Sequence, residues 1–356
     1  MTKSLVDRLQ TIWDNIRRGT NEPYSWFILP PHRIDPFVSQ EVRFQENKHY
    51  FQLRVNQIFL KYDREWFVRY DPSIMVISEF LYDKEYVAVP FLIGPSLFES
   101  KGMQISAGSI LADTRVAGLH PFRGGRLILR LVLYKTQRDN SVRQLLELLE
   151  NTAGAIDYST ALSQYLKIAG AVVSGVEGLI GLGKTIPVMA LSKEFDLTAG
   201  DDFKESYVIV INRPEQDVDL EKMWVVNNKL YVGERRDNLV PYSESDFVLL
   251  SLRRATERDD IDQLPFYPLW EQALKDATIP EDAHWKLAKA SLASLYQAMV
   301  LSPDLTETQV TSLRDRFIEV IQKRRREAIE LASLGPTQNV EDTAKLRDDG
   351  LAILDL

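Results

Sequence analysis

A β pattern between residues 46 and 136 constrains the fold of this chain more than any other feature of the sequence. Phe51, Leu53 and Val55 alternate with polar neighbours, which is the period-two pattern of a half-buried strand. Further β-branched, aromatic and leucine-rich runs follow, with short turns and without strand–helix–strand spacing, so the pattern predicts an antiparallel β-sandwich or a strongly curled sheet. These runs lie at Ile74–Phe80, Tyr86–Ile93, Ser109–Val116 and Arg126–Tyr134.

A helical pattern interrupts the β-rich region. Ser141–Gln144 fits a capping box that opens a helix over Val142–Glu150. Apolar residues at helical spacing predict a second helix from about Thr160 towards Ile180. The two segments together predict an inserted helical hairpin.

Strands are predicted again after this insertion. We expect them to join the first sheet, because three short strands alone bury little surface. Met223–Val232 reads as a hairpin with a turn at Asn227 and Asn228, since asparagine tolerates a positive φ angle. The three segments lie at 206–211, 223–232 and 246–252.

Helices are predicted at both ends of the chain. The N-terminal residues form an amphipathic pattern of about four turns, and an extended segment rich in proline and aromatic residues follows. Three helices are predicted near the C-terminus, the last of which starts at a capping box formed by Thr306 and Gln309. The C-terminal helices are expected at Phe266–Ala277, at Pro280–Val300 and from Thr306 to a stop signal at Leu334-Gly335-Pro336.

These patterns predict an α+β fold. Its core is an antiparallel β-sandwich or curled sheet, with an inserted helical hairpin and a C-terminal helical bundle. We expect four regions. They are an N-terminal helix and extended connection at 1–45, a β-rich core at 46–265 with the helical insertion at about 139–185, a helical region at 266–335 and a flexible acidic tail at 336–356.

Composition excludes several classes of chemistry. The 356 residues include no cysteine and only four histidines, so disulfides, zinc–thiolate centres, iron–sulfur clusters and cysteine nucleophiles are impossible. We expect no metal and no cofactor. The formal net charge of -8 argues against nucleic acid as a partner. Without an export signal or an apolar run of about 18 residues, the expected location is the cytoplasm.

One segment matches a nucleotide-binding motif. Gly178, Gly183, Lys184 and Thr185 satisfy the G-x-x-x-x-G-K-[ST] pattern, in which backbone N–H groups and the lysine hold phosphates and the threonine holds magnesium. The motif requires a buried strand before it and a helix after it. Here a helical pattern precedes the motif, and only a short segment follows it. We therefore favour a helix end with a tight reversal and keep nucleotide binding as an alternative.

The segment from Ile168 to Gly183 carries one charge in sixteen residues. Small residues recur in it, and glycines in a helix cost about 1 kcal/mol each relative to alanine unless close packing offsets them. We therefore expect a fully buried helix packed closely against the sheet. The alternatives are a segment that acts on a membrane once it is released and a face that binds a partner helix.

Three further groups of polar residues are candidates for binding. Lys323, Arg324, Arg325 and Arg326 form a basic run in the last helix, where glutamates at three and four residues favour an exposed, solvated face over a phosphate or partner site. His120 and Arg123 share a glycine-rich loop that is typical of a structural turn rather than an anion site. Asp259, Asp260 and Asp262 lack the spacing of a calcium loop and are expected in a solvated loop.

No complete catalytic arrangement is visible in the sequence, so we favour binding over catalysis. The first hypothesis is a non-catalytic intracellular scaffold or accessory protein with protein partners. The second is a switchable effector, in a stress or defence system, whose segment 168–183 acts on a membrane or partner after a conformational change or cleavage. The third is a P-loop nucleotide-binding protein. The sequence leaves the identity of the partners and the oligomeric state open.

Overall fold

A computed structural model of the chain describes residues 5–20, 24–36, 43–94, 109–137, 144, 147, 162–196 and 204–334. The chain divides into two compact units, and each is described here by itself. The first comprises Met1–Leu264 and Pro303–Gln309, and the second comprises Pro265–Ser302 and Val310–Leu356. Ser141 of the predicted capping box, most of the predicted helix at Val142–Glu150 and the predicted tail lie outside the described residues.

The described residues form five α-helices and fourteen strands. The helices are α1 Leu5–Gly19, α2 Leu162–Gly181, α3 Tyr267–Ala277, α4 Asp282–Val300 and α5 Glu307–Ser333. The strands are β1 Ser25–Ile28, β2 Ile34–Asp35, β3 Tyr50–Phe59, β4 Arg64–Glu65, β5 Val68–Tyr82, β6 Glu85–Ile93, β7 Ser109–Pro121, β8 Arg126–Gln137, β9 Thr185–Asp196, β10 Ser206–Ile211, β11 Met223–Val226, β12 Lys229–Val232, β13 Val240–Pro241 and β14 Phe247–Ala255. The α+β class predicted from the sequence is confirmed.

The first unit contains two large antiparallel sheets. The first sheet has the order β1-β10-β14-β3-β7. The second has the order β4-β5-β8-β9, and β6 also pairs with the long strand β5. Strands β10 and β14 join the first sheet, as expected from the sequence. Strand β9 extends the second sheet, although the sequence reading assigned no strand to its residues.

The main apolar core contains residues from both large sheets. In strand β8 every second residue from position 127 to position 133 is a leucine that contributes to this core. These residues are Leu127, Leu129, Leu131 and Leu133. Val132 and Tyr134 belong to a second apolar cluster. Both faces of β8 are therefore buried, as its nearly continuous apolar sequence requires.

Helices α1 and α2 cover the second sheet on the face that Val132 and Tyr134 share. Leu9, Ile12, Trp13 and Ile16 of α1 are all buried there, which confirms the amphipathic helix predicted at the N-terminus. Each such side chain stabilises the fold by roughly 1.5–3 kcal/mol when it is fully buried. The helix α1 is therefore an integral part of this unit.

A small sheet of order β13-β12-β11-β2 contributes to a third apolar cluster, together with residues of the first sheet. The hairpin at Met223–Val232 belongs to this small sheet, so the expectation that it joins the first sheet is wrong for this segment. Its turn is as predicted, because Asn227 and Asn228 both have positive φ angles.

A buried polar network holds the segment Pro303–Gln309 within the first unit. Arg258 pairs with Asp260 through two hydrogen bonds of 2.5 and 2.6 Å and also donates to the carbonyl oxygen of Asp304. The Tyr50 hydroxyl donates to Gln309 and accepts from the backbone N–H of Thr306. Asp260 is buried by this pairing, so the expectation that it lies in a solvated loop is wrong.

The predicted capping box at Thr306 and Gln309 is half formed. The Thr306 hydroxyl accepts the backbone N–H of Gln309 at 3.2 Å, which caps helix α5. The Gln309 side chain instead accepts from the backbone N–H of Arg258 and donates to the Arg258 carbonyl oxygen. Tertiary contacts within this unit thus use the side chain that an isolated helix would use for its own cap.

The second unit is helical, as the sequence predicts. Trp270 of α3 stacks on Phe317 of α5 with ring centroids 4.1 Å apart. Ala288, Leu295 and Met299 of α4 are buried on one face, whereas the neighbouring Tyr296 is exposed. Residues of α4 at helical spacing share one buried face, and a residue next to them in sequence lies on an exposed side of the helix.

The Arg258–Asp260 pair provides a test of the network. We expect Asp260→Ala to lower the free energy of unfolding by about 3–5 kcal/mol, because it leaves a buried guanidinium without its counter-charge. Urea denaturation measures this change. The control is Asp259→Ala at the exposed neighbour, which should change the stability by less than about 0.5 kcal/mol. Equal effects of the two substitutions would contradict the assigned role of the pair.

Candidate functional site

The tip of the β4–β5 hairpin exposes two adjacent aromatic side chains. Arg64 pairs with Arg69 and Glu65 pairs with Val68, which leaves Trp66 and Phe67 as the two turn residues. Trp66 is 90% exposed and Phe67 is 93% exposed. Neither side chain therefore contributes to a core of the first unit.

The backbone conformation of this turn is unfavourable for the tryptophan at position 66. Trp66 has a φ of 55°, and Phe67 is not among the residues with a positive φ. Of the common two-residue hairpin turns, only type II′ has a positive φ at the first residue alone, and glycine is preferred there. A strained positive-φ conformation of this kind costs a residue with a side chain roughly 1–3 kcal/mol.

Charged residues surround the aromatic pair. Arg64 and Arg69 are exposed on the two strands next to the turn, with Asp63 before them, and the Arg64 guanidinium donates to the carbonyl oxygen of Trp66 at 3.2 Å. Glu65 pairs with Lys135 of β8 at 2.9 Å, which fixes the hairpin to the second sheet. Since Glu65 is neutralised in this way, the cations exceed the acidic groups at the tip.

The sequence reading missed this hairpin tip. Hydrophobicity alone predicts burial, and an aromatic residue between two strands is most often part of a core. The available signal is the stretch Arg64–Arg69, in which two large aromatic residues interrupt the alternation and stand between charged residues. Adjacent residues in a strand face opposite sides, so two adjacent aromatics cannot both enter one core from a regular strand.

The Gly178–Thr185 motif lies at a helix-to-strand turn. Helix α2 ends at Gly181, and strand β9 begins at Thr185. Gly183 has a positive φ of 66°, as expected for the reversal after a helix. The order of elements around the motif is thus helix, turn and strand, which is the reverse of the order in a P-loop.

Helix α2 is amphipathic, so the expectation of a fully buried helix at 168–183 is wrong. Val172, Val173, Val176 and Leu179 are buried. The small residues lie mostly on the other side, and a methyl group added at Gly170 or Gly181 would meet no atom within 4 Å. Close packing therefore does not explain these two glycines.

The basic run in α5 divides between exposed and buried residues. Lys323 and Arg324 both pair with Glu327, as expected for a solvated helix face. Arg325 is buried and donates to the Ile279 carbonyl oxygen at 2.7 Å and to Asp282 at 3.0 Å. Arg325 therefore stabilises the second unit. The other three residues of the basic run, Lys323, Arg324 and Arg326, are exposed.

His120 is placed at the end of β7 and not in a loop. Its ring lies between those of Phe51 and Phe80, with centroid distances of 5.7 and 4.7 Å. Burial, together with the positive charges of Arg258 and Arg115, lowers the pKa of His120 to about 3. A neutral, buried imidazole does not attract an anion. Arg123 is likewise engaged, because it donates to Asn47 and to the Leu305 carbonyl oxygen.

A polar cluster occupies part of the first sheet and the turn of the small sheet. Arg253 donates to the Tyr207 hydroxyl, and this hydroxyl donates to Asn228 in the β11–β12 turn. Arg54 donates to Asp113 at 2.9 Å. Donors and acceptors are thus matched to each other, and the cluster joins the small sheet to the first sheet.

Neither a metal centre nor a membrane span is found in the described part of the chain. No group of three or more histidine or acidic side chains among these residues could hold a metal ion. None of the described helices is both long and apolar enough to cross a membrane. Comparisons with protein-family models, with curated proteins and with solved structures find no significant match.

The burial of His120 predicts a pH dependence of stability. An unfolded histidine has a pKa of about 6.5. Between about pH 3 and pH 6.5 the unfolded chain therefore binds a proton that the native state excludes, so stability falls as the pH is lowered through this window. We expect His120→Phe to remove a slope of about 1 kcal/mol per pH unit in that window, measured by urea unfolding from pH 4 to pH 8. A slope equal to that of the unsubstituted protein would contradict this assignment.

The turn geometry also predicts that the P-loop pattern does not bind nucleotide. We expect calorimetric titration with magnesium ATP to give no saturable heat, because no helix N-terminus follows Gly183 to receive a phosphate. The control is Lys184→Ala, which should behave in the same way. Saturable binding that disappears in Lys184→Ala would establish a nucleotide site here.

Proposed function

We propose that this chain is a non-catalytic interaction protein that docks onto another protein through the tip of its β4–β5 hairpin. The observation that carries the proposal is the exposure of Trp66 and Phe67, side by side, at 90% and 93%. Tryptophan is among the residues most enriched at the energetic centres of protein interfaces. A cytoplasmic location remains a prediction from the sequence.

The energetics of the turn support this proposal. Trp66 has the left-handed backbone conformation that favours glycine, yet its side chain is not packed within the unit. A glycine would therefore serve the fold at least as well. A residue that costs folding energy and returns no packing is better explained by a contact with a partner.

The charges around the tip suggest the chemistry of the partner. Arg64 and Arg69 flank the aromatic pair in the hairpin, whereas Glu65 is already paired with Lys135. An apolar pocket with a carboxylate-lined rim would complement this surface. The aromatic side chains would provide the affinity, and the basic residues would orient the partner and speed association.

The test separates binding from stability. Replacing Trp66 with glycine removes the side chain and relieves the left-handed strain, so we expect the free energy of unfolding to stay within about 1 kcal/mol of that of the wild type. Loss of an aromatic anchor costs at least about 2 kcal/mol of binding energy, or roughly a thirtyfold weaker Kd. Phe67→Ser should weaken the same interaction. The control is Val240→Ser at another exposed apolar residue, which should leave it unchanged.

The partner is identified with a photo-crosslinking amino acid at position 67. The comparison site is position 84 in the β5–β6 turn, where Asp83 and Lys84 have positive φ angles. A protein crosslinked from position 67 and not from 84 is then purified, and its Kd for the three variants is measured. A Kd that Trp66→Gly leaves unchanged would rule out the hairpin as its docking site.

Vesicles test the competing explanation, in which the aromatic tip enters an anionic membrane. If phosphatidylserine vesicles bind the wild type but not the Trp66→Gly variant, the hairpin tip binds a lipid surface and not a protein partner. Phosphatidylcholine vesicles serve as the uncharged control. Absence of binding to either vesicle, together with a Trp66-dependent crosslinked protein, is the result expected from the proposal.

A further inference from the structure

A pocket in the first unit opens between helices α1 and α2 and the second sheet. Its volume is about 310 Å³, at the lower end of the range for small-molecule sites. The apolar part of its wall is formed by Ile12, Ile16, Ile180 and Pro187. The pocket lies beside the turn that carries the P-loop pattern, but it is lined mainly by apolar side chains.

Two hydroxyl groups in this pocket are buried and have no hydrogen-bond partner among the described residues. They are the phenol of Tyr134 and the side-chain hydroxyl of Thr185. Burying a hydroxyl without a partner costs roughly 1–3 kcal/mol. Most buried polar groups in native proteins have a hydrogen-bond partner. Two hydroxyls without a partner that line one pocket therefore indicate a ligand that forms the missing hydrogen bonds.

The protonation of the phenol determines the polar group that it recognises. Burial raises the pKa of Tyr134, so its hydroxyl keeps the proton and can donate it in a hydrogen bond. The Thr185 hydroxyl can also donate. Two donors at one site fit an acceptor such as a carbonyl oxygen.

The charges in the wall favour a neutral ligand. Glu177 is the charged residue that lines the pocket, and Arg8 pairs with it through contacts of 2.6 and 3.2 Å. Arg8 also donates to Ser174 at 2.9 Å. The two charges offset each other, so the wall offers no free cation for a carboxylate or phosphate.

We propose that this pocket binds a small, neutral, mainly apolar molecule whose carbonyl oxygen accepts hydrogen bonds from Tyr134 and Thr185. This inference does not depend on the hairpin, because the residues of the tip do not line the pocket. It also assigns a role to the small residues at the end of α2. Gly181 lines the pocket, and a Cβ added there meets no atom within 4 Å, so this position of the wall admits a larger side chain.

Two fluorescent probes of similar size test the proposal. The first is 6-propionyl-2-(dimethylamino)naphthalene, which has a carbonyl group, and the second is N-phenyl-1-naphthylamine, which has none. We expect both to bind saturably to the full chain with a blue shift in emission. Gly181→Phe should weaken both at least tenfold, because the ring fills the pocket.

The chain offers a matched control for this substitution. Gly170 lies in the same helix, and a Cβ added there also meets no atom within 4 Å, but Gly170 does not line the pocket. Gly170→Phe should therefore bind both probes as the wild type does. Circular dichroism melts of both variants verify that they fold. Equal binding by the Gly181 and Gly170 variants, or no saturable binding by the wild type, would overturn the proposal.

Tyr134→Phe tests the polar part of the inference. Removal of a hydroxyl that has no partner in the folded chain leaves the fold stable, so this variant remains informative if Gly181→Phe does not fold. We expect it to weaken the carbonyl probe about fivefold to tenfold, the effect of one hydrogen bond, and to leave the second probe unchanged. Equal effects on the two probes would overturn the assignment of a carbonyl ligand.

Discussion

The burial of the second sheet on both faces is the constraint on which the rest of the first unit depends. Strand β8 contributes four leucines to the main core and Val132 and Tyr134 to the cluster beneath the helices. A strand of this kind can exist only if another layer covers each face. The first sheet covers one face and helices α1 and α2 cover the other, so the N-terminal helix is required by the leucine-rich strand more than a hundred residues away.

The burial of both faces also explains why polar side chains of adjacent strands in this sheet pair with each other. Arg130 of β8 pairs with Glu79 of β5, and the Thr136 hydroxyl bonds that of Ser73. Each pair joins adjacent strands across a buried face, where an unmatched charge or hydroxyl would be costly. The hydroxyls of Tyr134 and Ser78 depart from this rule, because both are buried without a hydrogen-bond partner among the described residues. The Tyr134 hydroxyl lies where α1 and α2 leave a pocket, which places this unpaired group where a small molecule can reach the face.

Sequence reasoning recovered the parts of the fold that depend on local periodicity. The alternation in β8, the asparagine turn at 227–228 and the buried face of α1 all follow from patterns within a single element. Strand β9 was not predicted, because the segment after Gly183 reads as a short stretch that follows a helix end, and the proline at position 187 is unusual within a sheet. Proline is tolerated here because β9 is at the edge of the sheet, where one side of the strand needs no hydrogen-bonding partner. Edge position is a tertiary property and cannot be read from the segment itself.

The candidate sites were harder to predict, because they depend on which residues the fold leaves uncovered. The segment 168–183 looked fully buried since glycine, alanine and serine fit either a solvent face or a core. No prediction singled out Trp66 and Phe67, because aromatic residues are usually buried and the local sequence does not show which of them the fold leaves exposed. The type of a residue determines how much free energy its exposure would cost, but it does not show whether the fold exposes that residue.

Consecutive residues of β8 connect the two proposed sites. Tyr134 lines the pocket, and Lys135 pairs with Glu65 at the base of the aromatic hairpin. Both residues are aligned with β5 on one side and with β9 on the other. Hydrogen-bonded neighbours on both sides keep a central strand in place, so the pocket and the hairpin base are held by the same rigid element. The core thereby supplies a fixed support for both surfaces.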